Sequence, residues 1–150
     1  VKRTIRQLNE KSKNMNYEEL YEGFPKEQAK SYRKEAAGRW GEKTVNESEQ
    51  RLLKMGKQNF EALKQQGDRI YRDLVELLDR DPADATVQKL IAEHFDMTGK
   101  FFDVTPDIYR NLGDMYVNDA RFKATFDNYD QRLAAFLQRA IAYFVHTKQA

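Results

Sequence analysis

Apolar side chains in the second half of the chain recur at the spacing of a helix. Residues three and four apart share one helix face, so one apolar set predicts a long amphipathic helix over about residues 57–80. A more regular set predicts a last helix over about residues 130–146. The first set is Phe60, Leu63, Ile70, Tyr71, Leu74, Leu77 and Leu78, and the second is Leu133, Phe136, Leu137, Ala140, Ile141, Phe144 and Val145. We therefore expect residues 57–146 to form one packed unit.

The region between these two helices carries signals for helix ends. Asp81-Pro82 ends the first helix because proline cannot continue it, and the next helix is predicted over about residues 84–99. Thr105-Pro106-Asp107 has the order of an N-cap and a first turn, and Asp119 can cap a short helix that follows. The inward side chains are Val87, Leu90, Ile91 and Phe95 in the former helix, and Phe122 and Phe126 in the short one.

The first third of the chain shows weaker helical signals. Pro25 suits the first turn of a helix that Gly38 would stop. Thr44-Val-Asn-Glu47 has the form of a capping box and would open a helix to about Lys54. Short helices gain most of their stability from packing, so we expect residues 9–56 to be marginally stable until they dock on a surface. The predicted fold class is all-α throughout.

Composition removes several classes of function. The chain has 150 residues and fits one domain, and its lack of cysteine excludes disulfides, thiolate metal sites and thiol nucleophiles. Cysteine-free composition fits a reducing compartment, and no apolar run is long enough for a membrane span, so we expect a cytoplasmic protein without membrane partners. The sequence has neither a glycine-rich phosphate loop nor a nucleophile motif, so we expect no enzymatic activity.

Charge is spread unevenly but too thinly to read DNA. Residues 1–60 hold 14 Lys/Arg and 9 Asp/Glu, a balance of +5, and residues 61–150 hold 12 and 15, a balance of −3. A DNA-reading surface would show a dense basic stripe, so we expect any DNA contact to come from another domain. The chain opens Val1-Lys2-Arg3 without an initiator Met, which indicates a fragment whose missing part lies upstream.

Polar residues that could carry chemistry have simpler structural roles. His94 follows Leu90 by four residues and could face the core, where haem ligation is the alternative to an ordinary hydrogen-bonded histidine; we favour the latter. His146 is expected to be solvated. Asp79, Asp81 and Asp84 surround a helix break, where carboxylates cap helix ends and turns more often than they bind a cation. We expect no cofactor and no metal.

Aromatic and methionine side chains are the informative class. They crowd residues 94–126, and two adjacent pairs, Phe101-Phe102 and Met115-Tyr116, cannot each be buried on a single helix face. Some of these side chains are therefore predicted to line a cleft for a bulky ligand, because Met repacks easily and Tyr adds a polar tip. The crowded set is Phe95, Met97, Phe101, Phe102, Tyr109, Met115, Tyr116, Phe122 and Phe126.

Several segments together resemble the TipAS antibiotic-recognition domain of MerR-family, TipA-like transcription regulators. The most specific is Asn111-Leu-Gly-Asp-Met-Tyr-Val-Asn-Asp-Ala-Arg-Phe122, followed by Asp127 and the helix that contains Leu133-Ala-Ala-Phe136. The others are Arg39-Trp40-Gly41, Asp81-Pro-Ala-Asp84 and His94. The similarity extends over about residues 17–146.

This resemblance implies a globin-like fold without haem, with a thiopeptide antibiotic as the ligand of the founding members. It also implies three parts: residues 1–12 end a linker or coiled-coil helix, residues 13–56 form flexible helices that act as a lid, and residues 57–150 form the globin-like core. The whole protein would bind DNA through an N-terminal winged helix-turn-helix domain absent from this chain, and would be a homodimer. Thiopeptide-trapping members use a cysteine for covalent capture, and its absence here leaves only noncovalent binding.

The resulting hypothesis is a noncovalent sensor of antibiotics or other bulky lipophilic or aromatic drugs, in a cleft between the core and the N-terminal helices. The alternative is a structural or inhibitory module that restrains its DNA-binding partner and binds no small molecule. Under the first hypothesis, the expected lining residues are Trp40, Phe95, Thr98, Phe101, Phe102, Tyr109, Met115, Tyr116 and Phe122.

Overall fold

The computed structural model describes the backbone of residues 26–149 and the side chains of residues 30–148. Within residues 26–149, all regular structure is helical, which confirms the predicted all-α class. The helices are α1 (Lys26–Trp40), α2 (Glu42–Met55), α3 (Lys57–Val75), α4 (Ala85–Thr98), α5 (Pro106–Asn118), α6 (Ala120–Asp127) and α7 (Leu133–Gln149). The predicted linker helix over 1–12 and the part of the lid before residue 26 lie outside the described residues.

The capping signals of the second half are confirmed. Asp84 caps α4 by accepting from the backbone N–H of Thr86, and Thr105 caps α5, with Pro106 in the first turn. Asp119 caps α6 by accepting from the N–H of Arg121. These side-chain oxygens satisfy backbone donors that have no partner within the helix, which is why each helix begins where it does.

Two helix ends in the first half differ from expectation. Gly38 was expected to stop a helix, but α1 continues through it to Trp40, because a helical glycine costs only about 1 kcal/mol relative to alanine. Thr44 was expected to cap the next helix, but α2 begins earlier, and its N-cap is Gly41 without any side-chain cap. The positive φ of 91° at Gly41 makes the turn that Gly38 was expected to make.

The outer helix ends in the second half are also shifted. Helix α3 ends at Val75 rather than near residue 80, and the chain continues in tight turns, with the N–H of Leu77 bonded to the carbonyl of Leu74 and that of Arg80 to Leu77. Helix α7 begins at Leu133 rather than near residue 130, after a turn in which Asp130 accepts from the N–H of Arg132.

The chain divides into two compact units. Among the described residues, unit 1 comprises residues 26–64 together with Lys100–Phe102, and unit 2 comprises Gln65–Gly99 and residues 103–149. In unit 1, α1 and α2 form a helical hairpin, and a small apolar cluster contains Leu52, Leu53, Met55, Phe60 and Phe101. No helix in residues 26–149 is both long and apolar enough to cross a membrane.

Unit 2 holds the larger apolar core. Helices α5 and α7 pack closely because Gly113 has no side chain: a Cβ there would lie 3.3 Å from Cγ2 of Ile141. Gln88 of α4 donates to the carbonyl of Ala140, which fixes α4 against α7. Several side chains of this core have no exposed surface at all, namely Ile70, Leu74, Val87, Ile91, Leu133, Leu137, Ala140 and Ile141.

Candidate functional site

A buried histidine lies between two tyrosines in unit 2. The hydroxyl oxygen of Tyr71 lies 3.0 Å from Nε2 of His94, and that of Tyr109 lies 2.7 Å from Nδ1. The Tyr109 hydroxyl donates to the backbone carbonyl of Ile91 at 3.3 Å, so its oxygen accepts from the imidazole. Nδ1 therefore carries the proton, and Nε2 accepts from the hydroxyl of Tyr71. We call these three side chains the Tyr71–His94–Tyr109 chain.

The three side chains of the Tyr71–His94–Tyr109 chain are uncharged at neutral pH. Burial lowers the pKa of His94 to about 4, because an imidazolium would lose its hydration there. Burial also raises the pKa of Tyr71 and of Tyr109 above the usual range of a phenol. At pH 7 the imidazole and both phenols are therefore in their neutral forms. Together they form a fully hydrogen-bonded polar network inside a core.

Aromatic rings surround the Tyr71–His94–Tyr109 chain on the side of α6. Phe126 lies edge-on to both Tyr71 and Tyr116, with ring centroids 5.1 Å and 4.7 Å apart. Tyr129 contacts Tyr71 at 5.5 Å, and its hydroxyl donates to the carboxylate of Asp68 at 2.7 Å. Partial burial and this carboxylate raise the pKa of Tyr129 to about 12. The rings contribute edge-to-face contacts in addition to their buried area.

The haem alternative meets a geometric obstacle at His94. Both ring nitrogens are engaged by tyrosine hydroxyls, so iron could bind one only by displacing a hydrogen bond. His146, by contrast, is exposed, as predicted. Among the described residues, no group of His, Asp and Glu side chains is arranged to hold a metal ion.

Three of the expected lining residues lie in the core of unit 2. Tyr109 has no exposed surface, and Tyr116 and Thr98 are 5% exposed. The hydroxyl of Thr98 donates to the backbone carbonyl of His94 at 2.8 Å, which occupies its donor within α4. In this structure these side chains offer almost no surface to a ligand, and a cleft would have to open for them to line it.

Three others are partly exposed in the same unit. The ring of Phe95 lies 5.0 Å from Tyr109, and the ring of Phe122 lies 5.6 Å from Tyr116, while Met115 is half-buried on α5. His94 contacts both tyrosine rings, at 5.7 Å and 6.3 Å. The structure therefore joins Phe95 and Phe122 through a continuous series of ring contacts.

The remaining three belong to unit 1. Trp40 is 47% exposed at the end of α1. Phe101 is partly buried against the cluster of Leu52 and Phe60, and Ser48 donates to its carbonyl at 2.7 Å. Phe102 is half-buried beside it in the chain.

The sequence did not connect His94 with its tyrosine partners, although Tyr109 was expected to line a cleft. Tyr71 was predicted only as part of the apolar stripe of α3, and no pattern in the sequence points to Tyr129 or Asp68. Tyr71 and His94 are 23 residues apart and Tyr109 is 15 residues beyond His94, so no local spacing connects them. The only available signal was the presence of polar-tipped Tyr and His on otherwise apolar helix faces, since a buried hydroxyl needs a partner.

Two curated transcription regulators are similar to most of the chain. The HTH-type transcriptional activator Mta of Bacillus subtilis is 29% identical over 135 residues, which cover 87% of this chain and 52% of Mta. The HTH-type transcriptional activator TipA of Streptomyces coelicolor is 28% identical over 132 residues, which cover 85% of this chain and 52% of TipA. The chain thus spans about half the length of the curated relatives it matches. No solved structure matches it.

The family comparison agrees with the segments that suggested the resemblance. The model of the TipAS antibiotic-recognition domain matches residues 32–144, from within α1 to near the end of α7. This range includes the Tyr71–His94–Tyr109 chain and all nine expected lining residues. The chain belongs to the TipAS antibiotic-recognition domain family.

Proposed function

We propose that this chain is the effector-recognition part of a transcriptional activator, and that it binds bulky lipophilic or aromatic drugs, antibiotics among them. The observation that carries this proposal is the match of the TipAS antibiotic-recognition model to residues 32–144, together with two relatives that are transcriptional activators. The aromatic content, with 9 Phe, 8 Tyr and 1 Trp, supplies side chains suited to such ligands.

Binding is noncovalent in this proposal. The chain has no cysteine, so no thiolate can add to an electrophilic antibiotic. Affinity must then come from apolar burial and from a few hydrogen bonds. Apolar burial contributes about 25 cal/mol per Å², so a ligand that covers a few aromatic side chains gains several kcal/mol before the costs of ordering.

The partly exposed side chains are the best candidates for direct contact with a ligand. In unit 2 these are Phe95, Met115 and Phe122, and in unit 1 they are Trp40, Phe101 and Phe102. Each can lose further apolar surface on binding, whereas Tyr109 has none left to lose. We therefore assign ligand contact to the exposed group, and assign Tyr109, Tyr116 and Thr98 to the support of those contacts.

DNA binding belongs to the remaining half of the protein in this proposal, which is also where we place dimerisation. The relatives are HTH-type activators, and this chain covers 52% of their length. A ligand can shift a DNA-binding equilibrium only by its different affinity for the two states of the regulator. The sensor must therefore have two conformations that differ at the ligand contacts.

A direct binding experiment tests the proposal. A thiopeptide and a panel of aromatic dyes are titrated into the chain by calorimetry, with the fluorescence of Trp40, the one tryptophan, as a second readout. We expect saturable binding that Phe122→Ala and Met115→Ala each weaken roughly tenfold. Tyr143→Ala is the control, because Tyr143 is exposed but lies outside the assigned contacts. A folded chain that binds none of these compounds would favour the structural or inhibitory alternative.

A further inference from the structure

Helix α2 of unit 1 lies between two single-residue glycine joints. Gly41 separates it from α1 and Gly56 separates it from α3. Gly41 has φ 91° and ψ 146°, and Gly56 has φ 88° and ψ 157°. A positive φ combined with an extended ψ is open almost only to glycine. The path of the chain at both ends of α2 therefore depends on glycine.

The requirement at Gly41 comes from its backbone and not from crowding. A Cβ built at Gly41 would meet no atom within 4 Å. No side chain caps the start of α2, and Gly41 makes one backbone hydrogen bond to each helix: its N–H donates to the carbonyl of Ala37 in α1, and its carbonyl accepts from the N–H of Val45 in α2. The space beside Gly41 is open, so a change of its dihedral angles meets no steric obstacle at the joint itself.

One arginine of α1 binds a full face of α2. Nη1 of Arg33 lies 2.7 Å from Glu42, Nε donates to Glu49 at 2.9 Å, and Nη2 donates to the side-chain oxygen of Asn46. These three acceptors are four and three residues apart along α2, so they lie on one helix face. The guanidinium has five N–H donors in a rigid fork and can bind several acceptors at once. We call this set the Arg33 clamp.

The side chains of α1 contribute little to a buried core. From residue 30 to Trp40, no side chain of α1 is buried, whereas α2 buries Glu49 and Leu52. Helix α2 has other anchors in unit 1: Ser48 donates to the carbonyl of Phe101, and Leu52 packs with Phe60. The Arg33 clamp is therefore a set of charged contacts that separation of α1 from α2 would have to break.

We propose that Gly41 is a hinge about which α1 opens from α2, and that the Arg33 clamp is the latch that keeps it closed. The closed hairpin is the state that the structure shows. Because the latch is ionic and partly exposed, its strength falls with ionic strength, and the population of open hairpins rises. The hinge and the latch are properties of the free chain and do not rest on ligand binding.

Amide hydrogen exchange on the free chain tests the latch. We expect Arg33→Gln to raise exchange across α1 by roughly tenfold or more, while α7 stays within about twofold of the wild type. Added salt should raise exchange of α1 in the wild type and add little in the variant. Arg33→Lys keeps one ion pair and should lie between the two. Unchanged exchange of α1 in Arg33→Gln, with α7 intact, would overturn the latch.

Two glycine variants test the hinge. Gly41→Ala strains the closed joint, so exchange of α1 should rise by several-fold although no clamp residue changes. Gly38→Ala is the matched control: it lies three residues earlier in the same helix, also faces open space, and should slow exchange because alanine favours the helix. Equal behaviour of the two variants would overturn the hinge. Since no ligand is present, failure here leaves the proposed function untouched.

Discussion

The Nδ1 atom of His94 lies 2.7 Å from the hydroxyl oxygen of Tyr109, and this contact joins α4 to α5. The other ring nitrogen accepts from Tyr71, which belongs to α3. One neutral imidazole therefore connects three helices of unit 2 by hydrogen bonds in an apolar interior. Such a network is favourable only while each member keeps its partner, because an unpaired polar group in a core costs more than a satisfied one gains.

Removal of one hydroxyl from this network should be costly. Tyr109→Phe deletes the acceptor of the Nδ1–H of His94 and the donor to Ile91, while the ring and its packing remain. We expect a loss of about 1–3 kcal/mol in the free energy of unfolding, measured by urea denaturation. Tyr143→Phe is the control, since that tyrosine is 43% exposed, and it should change stability by less than about 0.5 kcal/mol. Equal small effects would show that the Tyr109 hydroxyl is not engaged.

Stability should fall in mild acid because of His94. Its pKa is about 4 in the folded chain against an ordinary 6.5, so the unfolded chain binds more protons between these values. The free energy of unfolding contributed by His94 is full above pH 6.5 and is lost as the pH falls towards 4. The difference between the folded and unfolded pKa of His94 corresponds to about 3 kcal/mol, at about 1.4 kcal/mol for each pKa unit.

Denaturation curves at several pH values measure this contribution. His94→Gln cannot titrate, so the stability difference between wild type and variant should narrow as the pH falls from 7 to 4. His146→Gln, the same change at an exposed histidine, is the control for the substitution itself. A constant difference between wild type and His94→Gln would mean that His94 is not held neutral by burial.

These results show which features the sequence could predict. Local signals were sufficient for the caps Asp84, Thr105 and Asp119, because a cap and its N–H partner are two or three residues apart. The sequence could not show which of Gly38 and Gly41 ends α1. That depends on the backbone dihedral angles, and only Gly41 of these two has a positive φ.

The candidate site was harder to predict for a related reason. The aromatic crowding of residues 94–126 was visible, but its division into core and surface depends on packing between helices. Tyr109 and Phe122 illustrate this: both are aromatic residues in the second half, yet the first has no exposed surface and the second is half-buried. Pairing across 15 and 23 residues, as in the Tyr71–His94–Tyr109 chain, follows only from the tertiary fold.

The stripe of α7 gives a stability prediction. Phe136 is 2% exposed and Ile141 has no exposed surface, so Phe136→Ala or Ile141→Ala should cost about 2–5 kcal/mol in the free energy of unfolding. The cost combines lost apolar transfer with an unfilled cavity. Arg139→Ala alters an exposed position of the same helix and serves as the control in the same denaturation series. If either substitution lowers the free energy of unfolding by less than about 0.5 kcal/mol, that side chain does not lie in the core.

The absence of cysteine gives a chemical prediction. Incubation with a dehydroalanine-containing thiopeptide should leave no adduct in the mass spectrum of the denatured chain, because no thiol is available to add to the alkene. Glutathione treated in parallel should form its adduct, which shows that the antibiotic is reactive. An added mass that survives denaturation of the protein would contradict noncovalent binding.

Hydrogen exchange with a bound ligand tests how the sensor responds. In the free chain we expect faster exchange across α1 and α2 than across α3 and α7, because α1 buries no side chain between residue 30 and Trp40 while α7 carries much of the core. Ordering of α1 and α2 around a ligand would bury roughly several hundred Å² of apolar surface, worth several kcal/mol at about 25 cal/mol per Å². Ordering costs about 1–2 kcal/mol for each backbone residue newly fixed, which for two helices exceeds this burial term. We expect packing and helix hydrogen bonds within the segment to offset most of that cost, so that α1 and α2 lie near the boundary between order and disorder.

A segment whose ordered and disordered states have similar free energies responds strongly to a ligand. A compound that binds saturably should therefore slow exchange of α1 and α2 much more than exchange of α3 and α7, whose amides are already protected. The Arg33→Gln variant should show the larger ligand-induced change, since its free hairpin starts from a more open population. If α1 and α2 are instead as protected as α7 without ligand, folding on binding is wrong. Unit 1 would then be preformed, and the signal to the DNA-binding half would have to travel by movement of ordered helices.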